Sequence, residues 1–112
     1  MHFRELEVYQ LAIRAFTLSA KIGQSLPKGH GEIRDQLRRA SLSIPLNIAE
    51  SSGKTRTADQ QRFFAIARGS AMECAALVDA CRVVEVGDVS VLDELDTCLL
   101  SLVRMLSKLS RR

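Results

Sequence analysis

The sequence predicts an all-α protein, an antiparallel four-helix bundle with up-down-up-down topology. Apolar residues recur at spacings of three and four in four segments of roughly 20 residues each. Only two prolines and six glycines interrupt the 112 residues, and the short loops between the segments favour antiparallel neighbours. At this length, a chain that is 46% hydrophobic can build one core without disulfides or metal. We therefore expect a single domain over residues 1–112.

The first two helices are expected over residues 5–24 and 32–52. Helix 1 carries one apolar row, made of Leu6, Tyr9, Ile13, Phe16 and Ala20. Helix 2 carries two apolar rows, the first made of Leu37, Ala40, Ile44 and Ile48 and the second of Leu42, Leu46 and Ala49. A helix that is apolar on two faces is expected to contact more than one neighbour. Pro45 lacks an N–H and is expected to kink helix 2, and Gly53 is expected at its C′ position.

The last two helices are expected over residues 57–86 and 90–111. Thr57 with Gln60, and Ser90 with Asp93, have the form of capping boxes at their starts. One row of helix 3 contains Phe63, Ala67, Ser70, Cys74, Leu77, Cys81 and Val84, and a second contains Phe64, Ala71 and Val78. The row of helix 4 contains Leu92, Leu95, Leu99, Leu102, Leu106 and Leu109. The surplus of apolar rows fits either a wide core face or self-association.

The sequence offers little chemistry for catalysis. Neither His2 nor His30 lies on a predicted core face, no Glu-x-x-His motif or phosphate loop is present, and no metal or cofactor is expected. An enzymatic interpretation would rest on Glu50 and Glu73 alone. We favour a structural role for both, in a buried polar network. The predicted members of this network are Arg39, Asn47, Glu50, Arg68 and Glu73.

Three cysteines and the absence of targeting signals indicate a cytoplasmic protein. Cys74, Cys81 and Cys98 occupy apolar helix positions without a Cys-x-x-Cys pair, and we expect reduced core residues. The N-terminus lacks the apolar segment of a signal peptide. No apolar run approaches the roughly 20 residues that span a bilayer, so we expect no membrane association.

The charges are segregated along the predicted bundle although the net charge is only +3. One end collects the start of helix 1, the loop between helices 2 and 3, and the end of helix 4. Helix dipoles explain bases at the end of helix 4, but they do not explain Lys54, Arg56 and Arg62, since a helix N-terminus favours acids. These residues and their neighbours are candidate phosphate contacts. The predicted set is Arg4, Lys54, Arg56, Arg62, Lys108, Arg111 and Arg112.

Three sequence blocks resemble the bacterial four-helix bundle protein family, also called the 23S rRNA intervening-sequence proteins. The blocks are Phe3-x-x-Leu6-x-Val8-Tyr9-Gln10-x-Ala12, Gln36-Leu37-x-Arg39-Ala40-Ser41-x-Ser43-Ile44-Pro45-x-Asn47-Ile48-Ala49-Glu50 and Phe63-x-x-Ile66-Ala67-Arg68-Gly69-Ser70-x-x-Glu73. The resemblance covers nearly the whole chain. Two positions depart from the family pattern: Ser51 stands where the family usually has Gly, and Tyr9 stands where Trp is frequent.

The resemblance implies a non-enzymatic protein. Family members are often encoded in insertions within ribosomal RNA genes and look like ring-forming bundles, typically homopentamers. They are similar to the accessory protein of diversity-generating retroelements, a basic pentameric barrel that binds nucleic acid and a reverse transcriptase. From this resemblance we expect a ring-shaped homo-oligomer, a homopentamer, that binds RNA or DNA backbone through its basic end. The alternative is an adaptor that docks a partner, such as a reverse transcriptase or a ribosome-associated protein, without contacting nucleic acid itself.

Overall fold

The computed structural model describes residues 1–111, which form four long α-helices after a short N-terminal 3-10 helix. The 3-10 helix spans His2–Glu5, and the α-helices are α1 (Glu7–Ser25), α2 (Gly31–Ser52), α3 (Thr57–Val83) and α4 (Val89–Leu109). Each α-helix packs against its neighbour in sequence, and α1 also packs against α4. The result is a rod of 45 × 23 × 21 Å whose two ends are far apart. The predicted all-α bundle is confirmed.

Contacts between side chains fix the antiparallel order of the helices. Arg14 of α1 pairs with Glu94 of α4, and the Sγ atom of Cys98, one turn further along α4, donates to the Leu11 carbonyl at 3.4 Å. The hydroxyls of Ser43 in α2 and Ser70 in α3 lie 2.8 Å apart. Neighbouring helices therefore run in opposite directions, as short loops require.

The leucine row of α4 supplies much of the core, as the sequence predicts. Leu92, Leu95, Leu99, Leu102 and Leu106 are each at most 2% exposed, and Leu109 is half-buried at the end of the row. The first row of α2 is also buried. Burying such a row removes apolar surface from water and is the main source of stability for the bundle.

The apolar row predicted for α1 is not its core face, which is a correction to the sequence analysis. The buried residues of α1 include Val8, Ala12, Ala15, Leu18 and Ile22. From the predicted row, Ile13 is 40% exposed and Ala20 is exposed, while Leu6, Tyr9 and Phe16 are half-buried. The small side chains of Ala12 and Ala15 let neighbouring helices approach, although their apolar signal is weak.

The second row of α2 also lies largely outside the core. Leu46 is 56% exposed, and Leu42 and Ala49 are half-buried. The helix itself is continuous from Gly31 to Ser52, with Pro45 buried inside it. Gly53 follows as the C-cap in a right-handed conformation (φ −83°), so the left-handed turn typical of a C′ glycine is absent here.

Both predicted capping boxes are wrong: the N-cap residue lies one position earlier in α3 and two positions earlier in α4. Arg56 is the N-cap of α3, with no side-chain hydrogen bond, and Thr57 is already helical. Asp88 is the N-cap of α4, and its Oδ1 atom accepts hydrogen bonds from the backbone N–H groups of Ser90 (2.9 Å) and Val91 (3.3 Å). A hydrogen bond from the Ser90 hydroxyl, together with these two from the backbone, lowers the pKa of the Asp88 carboxyl.

Helix α3 ends three residues before the predicted boundary, in a Schellman motif. The N–H of Val86 donates to the Cys81 carbonyl at 2.9 Å, and the N–H of Glu85 donates to the Arg82 carbonyl at 3.2 Å. These are the two hydrogen bonds that define the motif. Its left-handed position is normally a glycine, but here it is Glu85, with φ of 57°. A side chain with a Cβ atom is strained in this conformation.

Replacing Glu85 by glycine is expected to raise the free energy of unfolding by about 0.5–1 kcal/mol. Relief of left-handed strain, about 1–2 kcal/mol, exceeds the extra chain entropy of an unfolded glycine. Urea denaturation followed by circular dichroism measures the change. Glu85→Ala is the control, because it also removes the carboxylate but keeps the Cβ atom. If both variants gain equally, the stabilisation comes from lost negative charge and not from the backbone.

Candidate nucleic-acid interface

The fold brings one set of distant basic residues to the same end of the rod. We call this set the basic pole: Arg4, Lys54, Arg56, Arg62, Arg104, Lys108 and Arg111. They come from the 3-10 helix, the α2–α3 loop, the start of α3 and the end of α4, which the antiparallel order places together. All are exposed except Lys54, which is half-buried. Arg112, also predicted as a phosphate contact, lies outside the described residues.

The α2–α3 loop is anchored by two residues that sequence reasoning did not assign to the site. The hydroxyl of Ser51, which is 1% exposed, donates to the Gln60 carbonyl at 2.9 Å. The Gln60 Nε2 atom donates in turn to the Lys54 carbonyl at 2.8 Å. Gln60 therefore ties down the loop instead of capping α3, and Ser51, where the family usually has glycine, joins α2 to α3. Together they hold Lys54 at a defined place on the pole.

Aromatic rings support three of the basic side chains. The Phe63 ring has the Lys54 Nζ atom 5.2 Å and the Arg62 Cζ atom 4.8 Å from its centroid. The Arg4 Cζ atom lies 5.8 Å from the Phe3 centroid. A cation over an aromatic face is attracted to the ring and restricted in its motion. Lys54 and Arg62 therefore both place their charge against the ring of Phe63.

Only one member of the basic pole forms an ion pair within residues 1–111. Lys54 Nζ lies 3.5 Å from Glu50 Oε2, in a solvent-exposed pair of the kind that contributes little. Within residues 1–111, none of the other six members of the pole forms an ion pair. Glu5, Glu7 and Asp59 lie at the same end without forming ion pairs within residues 1–111, and the bases outnumber the acids there. The pole therefore keeps a net positive charge that attracts an external anion.

The five residues predicted as a buried polar network do not come together in the single chain. Arg39, Glu50 and Glu73 are exposed, and Arg68 is half-buried. Among residues 1–111, no ion pair involves Arg39, Arg68 or Glu73. In the single chain, water solvates the charged groups of Arg39, Glu50 and Glu73, so these groups need no buried partners.

A smaller polar cluster of uncharged residues occupies the α2–α3 contact instead. The Nδ2 atom of Asn47 donates to the Ser43 carbonyl at 2.8 Å and to the Ser43 hydroxyl at 2.9 Å. The Ser43 hydroxyl in turn contacts that of Ser70. Asn47 was predicted in the network, but its partners are serines. Its four-residue spacing from Ser43 was visible in the sequence, whereas the contact to Ser70 depends on how the helices pack.

The three cysteine thiols lie in the core. Cys74, Cys81 and Cys98 are free and buried, as predicted. Burial raises the pKa of the Cys74 thiol to about 12 and that of Cys98 to about 11, and it also raises the pKa of Cys81. These thiols therefore stay protonated and unreactive near neutral pH. Residues 1–111 contain no group of three or more His, Cys, Asp or Glu side chains that could hold a metal ion.

The fold and its polarised surface define a small antiparallel four-helix-bundle protein with one basic end. The chain belongs to the 23S rRNA-intervening sequence protein family, whose model matches residues 4–108. No curated protein sequence gives a significant match. Over the described part of the chain, no helix is both long and apolar enough to cross a membrane.

A solved structure with the same fold comes from Bacteroides thetaiotaomicron. It is a protein of unknown function from the S23 ribosomal protein family, with a TM-score of 0.84 and 17% sequence identity. The similarity covers 94% of this chain and 99% of that one. At this level of identity, the likeness establishes the shared fold.

Proposed function

We propose that this protein is a non-enzymatic, homo-oligomeric bundle that binds the phosphate backbone of RNA or DNA through its basic pole. The observation that carries the proposal is the position of Arg56 and Arg62. Arg56 is the N-cap of α3, where the helix dipole favours negative charge, and Arg62 lies one turn further on. Both are exposed and neither forms an ion pair within residues 1–111, so both can bind an external polyanion.

The chemistry of the pole favours backbone contacts over base recognition. Arginine and lysine contacts to phosphates position a protein on nucleic acid but carry no sequence information. Phe63 is half-buried and already has Lys54 and Arg62 against its ring, so it is not a free stacking platform. The family's name refers to an intervening sequence of 23S rRNA, which supports RNA as the first polymer to test.

Fluorescence anisotropy of the purified protein, with a labelled structured RNA and a labelled DNA duplex, tests the proposal. We expect binding at about 50 mM salt that weakens steeply by about 200 mM, because each phosphate contact releases counterions. A comparison of the two polymers identifies the preferred one. Absence of binding to both at the lower salt would contradict the proposed function.

A second candidate function is a protein-interaction adaptor. It is supported by the apolar surface next to the basic pole, where exposed Leu46 and half-buried Ala49 line a shallow groove with Lys54. A reverse transcriptase or a ribosome-associated protein would dock there. Affinity capture that persists after nuclease treatment would favour this function. For either function we propose a cytoplasmic location, since the three free thiols fit a reducing compartment.

A further inference from the structure

The bundle carries an apolar groove between α1 and α2 that the single chain leaves open. It has a volume of about 460 Å³, and Phe16 and Ala20 line its α1 side. Ile13, 40% exposed, continues this side one turn toward the start of α1. The charged residues that line the groove are Arg34 and Arg38. We call this surface the α1/α2 groove. Two residues of the apolar row predicted for α1 line it, and a third, Ile13, adjoins it.

A second groove, of about 380 Å³, runs between α3 and α4. Its apolar residues include Met72 and Leu100, which are 56% and 53% exposed, and half-buried Val103. The charged residues that line this α3/α4 groove are Asp79 and Asp96. Exposed side chains of this size, grouped on one face, are typical of a protein–protein contact surface.

The two grooves lie on opposite sides of the bundle and carry opposite charge. Viewed along the rod, the four helices stand at the corners of a square, because each contacts its two neighbours and α1 does not contact α3, nor α2 contact α4. The α1/α2 side and the α3/α4 side are therefore opposite each other. Arginines line one groove and aspartates the other. In the wall of the α1/α2 groove, Ser19 is 2% exposed and its hydroxyl has no hydrogen-bond partner within residues 1–111. The α1/α2 side of the single chain therefore holds a buried hydroxyl without a hydrogen-bond partner.

We propose that the α1/α2 groove of one copy packs against the α3/α4 groove of a second copy of this chain. The occupant is a second copy because apolar surface and complementary charge are both present on the same molecule. In parallel rods, pairing either groove with itself would place arginines against arginines or aspartates against aspartates, which is unfavourable. In antiparallel rods, the same self-pairing would leave these charges without an opposite partner. The contact is therefore between two different surfaces, and repeating it adds further copies in a closed ring or an open chain. This inference rests on the self-association in the proposed function, not on nucleic-acid binding.

The positions of the charges also determine how the copies are oriented. Arg34 and Arg38 lie in the first half of α2, Asp79 near the end of α3 and Asp96 near the start of α4. All four lie in the half of the rod that is far from the basic pole. Opposite charges therefore meet only when neighbouring rods are parallel. Parallel packing brings the basic poles of all copies to one end of the assembly.

The pairing of the two grooves is tested by reversing the charge on each side of the contact and measuring the mass of the assembly. Light scattering coupled to size-exclusion chromatography gives this mass. The wild-type protein is expected to have a mass several times the 12.4 kDa of one chain. Arg38→Glu and Asp96→Arg are each expected to elute as monomers, because each places like charges across the contact. The double variant Arg38→Glu/Asp96→Arg is expected to recover the wild-type mass. Neither side chain forms an ion pair within the described chain, so folding should persist, and circular dichroism verifies it.

The control places a charge on a side of the bundle that the proposal leaves free. Thr97 is exposed and lines the shallow surface between α1 and α4, so Thr97→Glu should assemble like the wild type. A monomeric wild type would overturn both the inference and the oligomeric part of the proposed function. Single variants that still assemble, or a folded double variant that stays monomeric, would overturn the pairing alone. Nucleic-acid binding is scored separately by anisotropy.

Cross-linking distinguishes this arrangement from a two-fold symmetric one. The native cysteines are buried, so a flexible bis-maleimide reports on introduced thiols. A mixture of Ala20→Cys and Leu100→Cys chains is expected to give a cross-linked dimer, whereas each variant alone gives none. Efficient dimer formation by either variant alone, or no product from the mixture, would contradict the proposed contact. Wild-type protein treated in the same way is the control.

Discussion

Replacing Arg56 and Arg62 together by glutamine is expected to weaken nucleic-acid binding by about 10–100-fold at about 100 mM salt. It should also reduce the slope of log affinity against log salt by about 1.5 for each bound chain, since each lost phosphate contact removes roughly 0.7–0.9. Both arginines are exposed and lack acidic partners within residues 1–111. Their removal from the start of α3 does not oppose its dipole, so the fold should be unaffected.

The matched control for this prediction is Lys21→Gln/Lys28→Gln. These exposed lysines lie at the opposite end of the bundle, and the double change removes the same net charge. We expect the control to bind nearly as tightly as the wild type, with a similar salt slope. Equal losses in both variants would mean that total charge, not the basic pole, governs binding. An unchanged affinity for the arginine variant would place the binding surface elsewhere.

Replacing Leu102 by alanine is expected to lower the free energy of unfolding by about 2–5 kcal/mol. Leu102 is fully buried in the middle of the α4 row, so the change removes apolar contacts from the centre of the bundle and leaves a cavity. Urea denaturation at one fixed protein concentration measures the change, because the stability of an oligomer depends on concentration.

The control for this prediction is Val83→Ala, at a position that is 81% exposed at the end of α3. It should change the free energy of unfolding by no more than about 0.5 kcal/mol. If Leu102→Ala were as mild as this control, the α4 row would not form the centre of the core. The comparison therefore tests the packing of the bundle independently of any function.

The sequence was enough to predict which basic residues share one end of the bundle, but not the hydrogen bonds that hold them in place. Four helices in alternating directions place Arg4, the α2–α3 loop and the end of α4 at one end, so topology alone groups these residues. The hydrogen bonds of Ser51 and Gln60 across the α2–α3 turn depend on the backbone path of that turn. The predicted polar network does not form within the single chain for a related reason. Whether Glu73 or Arg39 is buried depends on how neighbouring helices are rotated, which spacing within one helix does not reveal.

Apolar spacing and short loops were enough to predict the helices, their antiparallel order and the leucine row of α4. Apolar spacing is a property of one helix, and α4 carries one unbroken row of leucines, which marks the face that is buried. The tertiary structure alone decided the core face of α1. There, a row of large residues through Ile13 competes with a row that includes Ala12 and Ala15, and close approach between helices favours the smaller side chains. It also decided the end of α3, where hydrogen bonds place Glu85 in a conformation that its residue type disfavours.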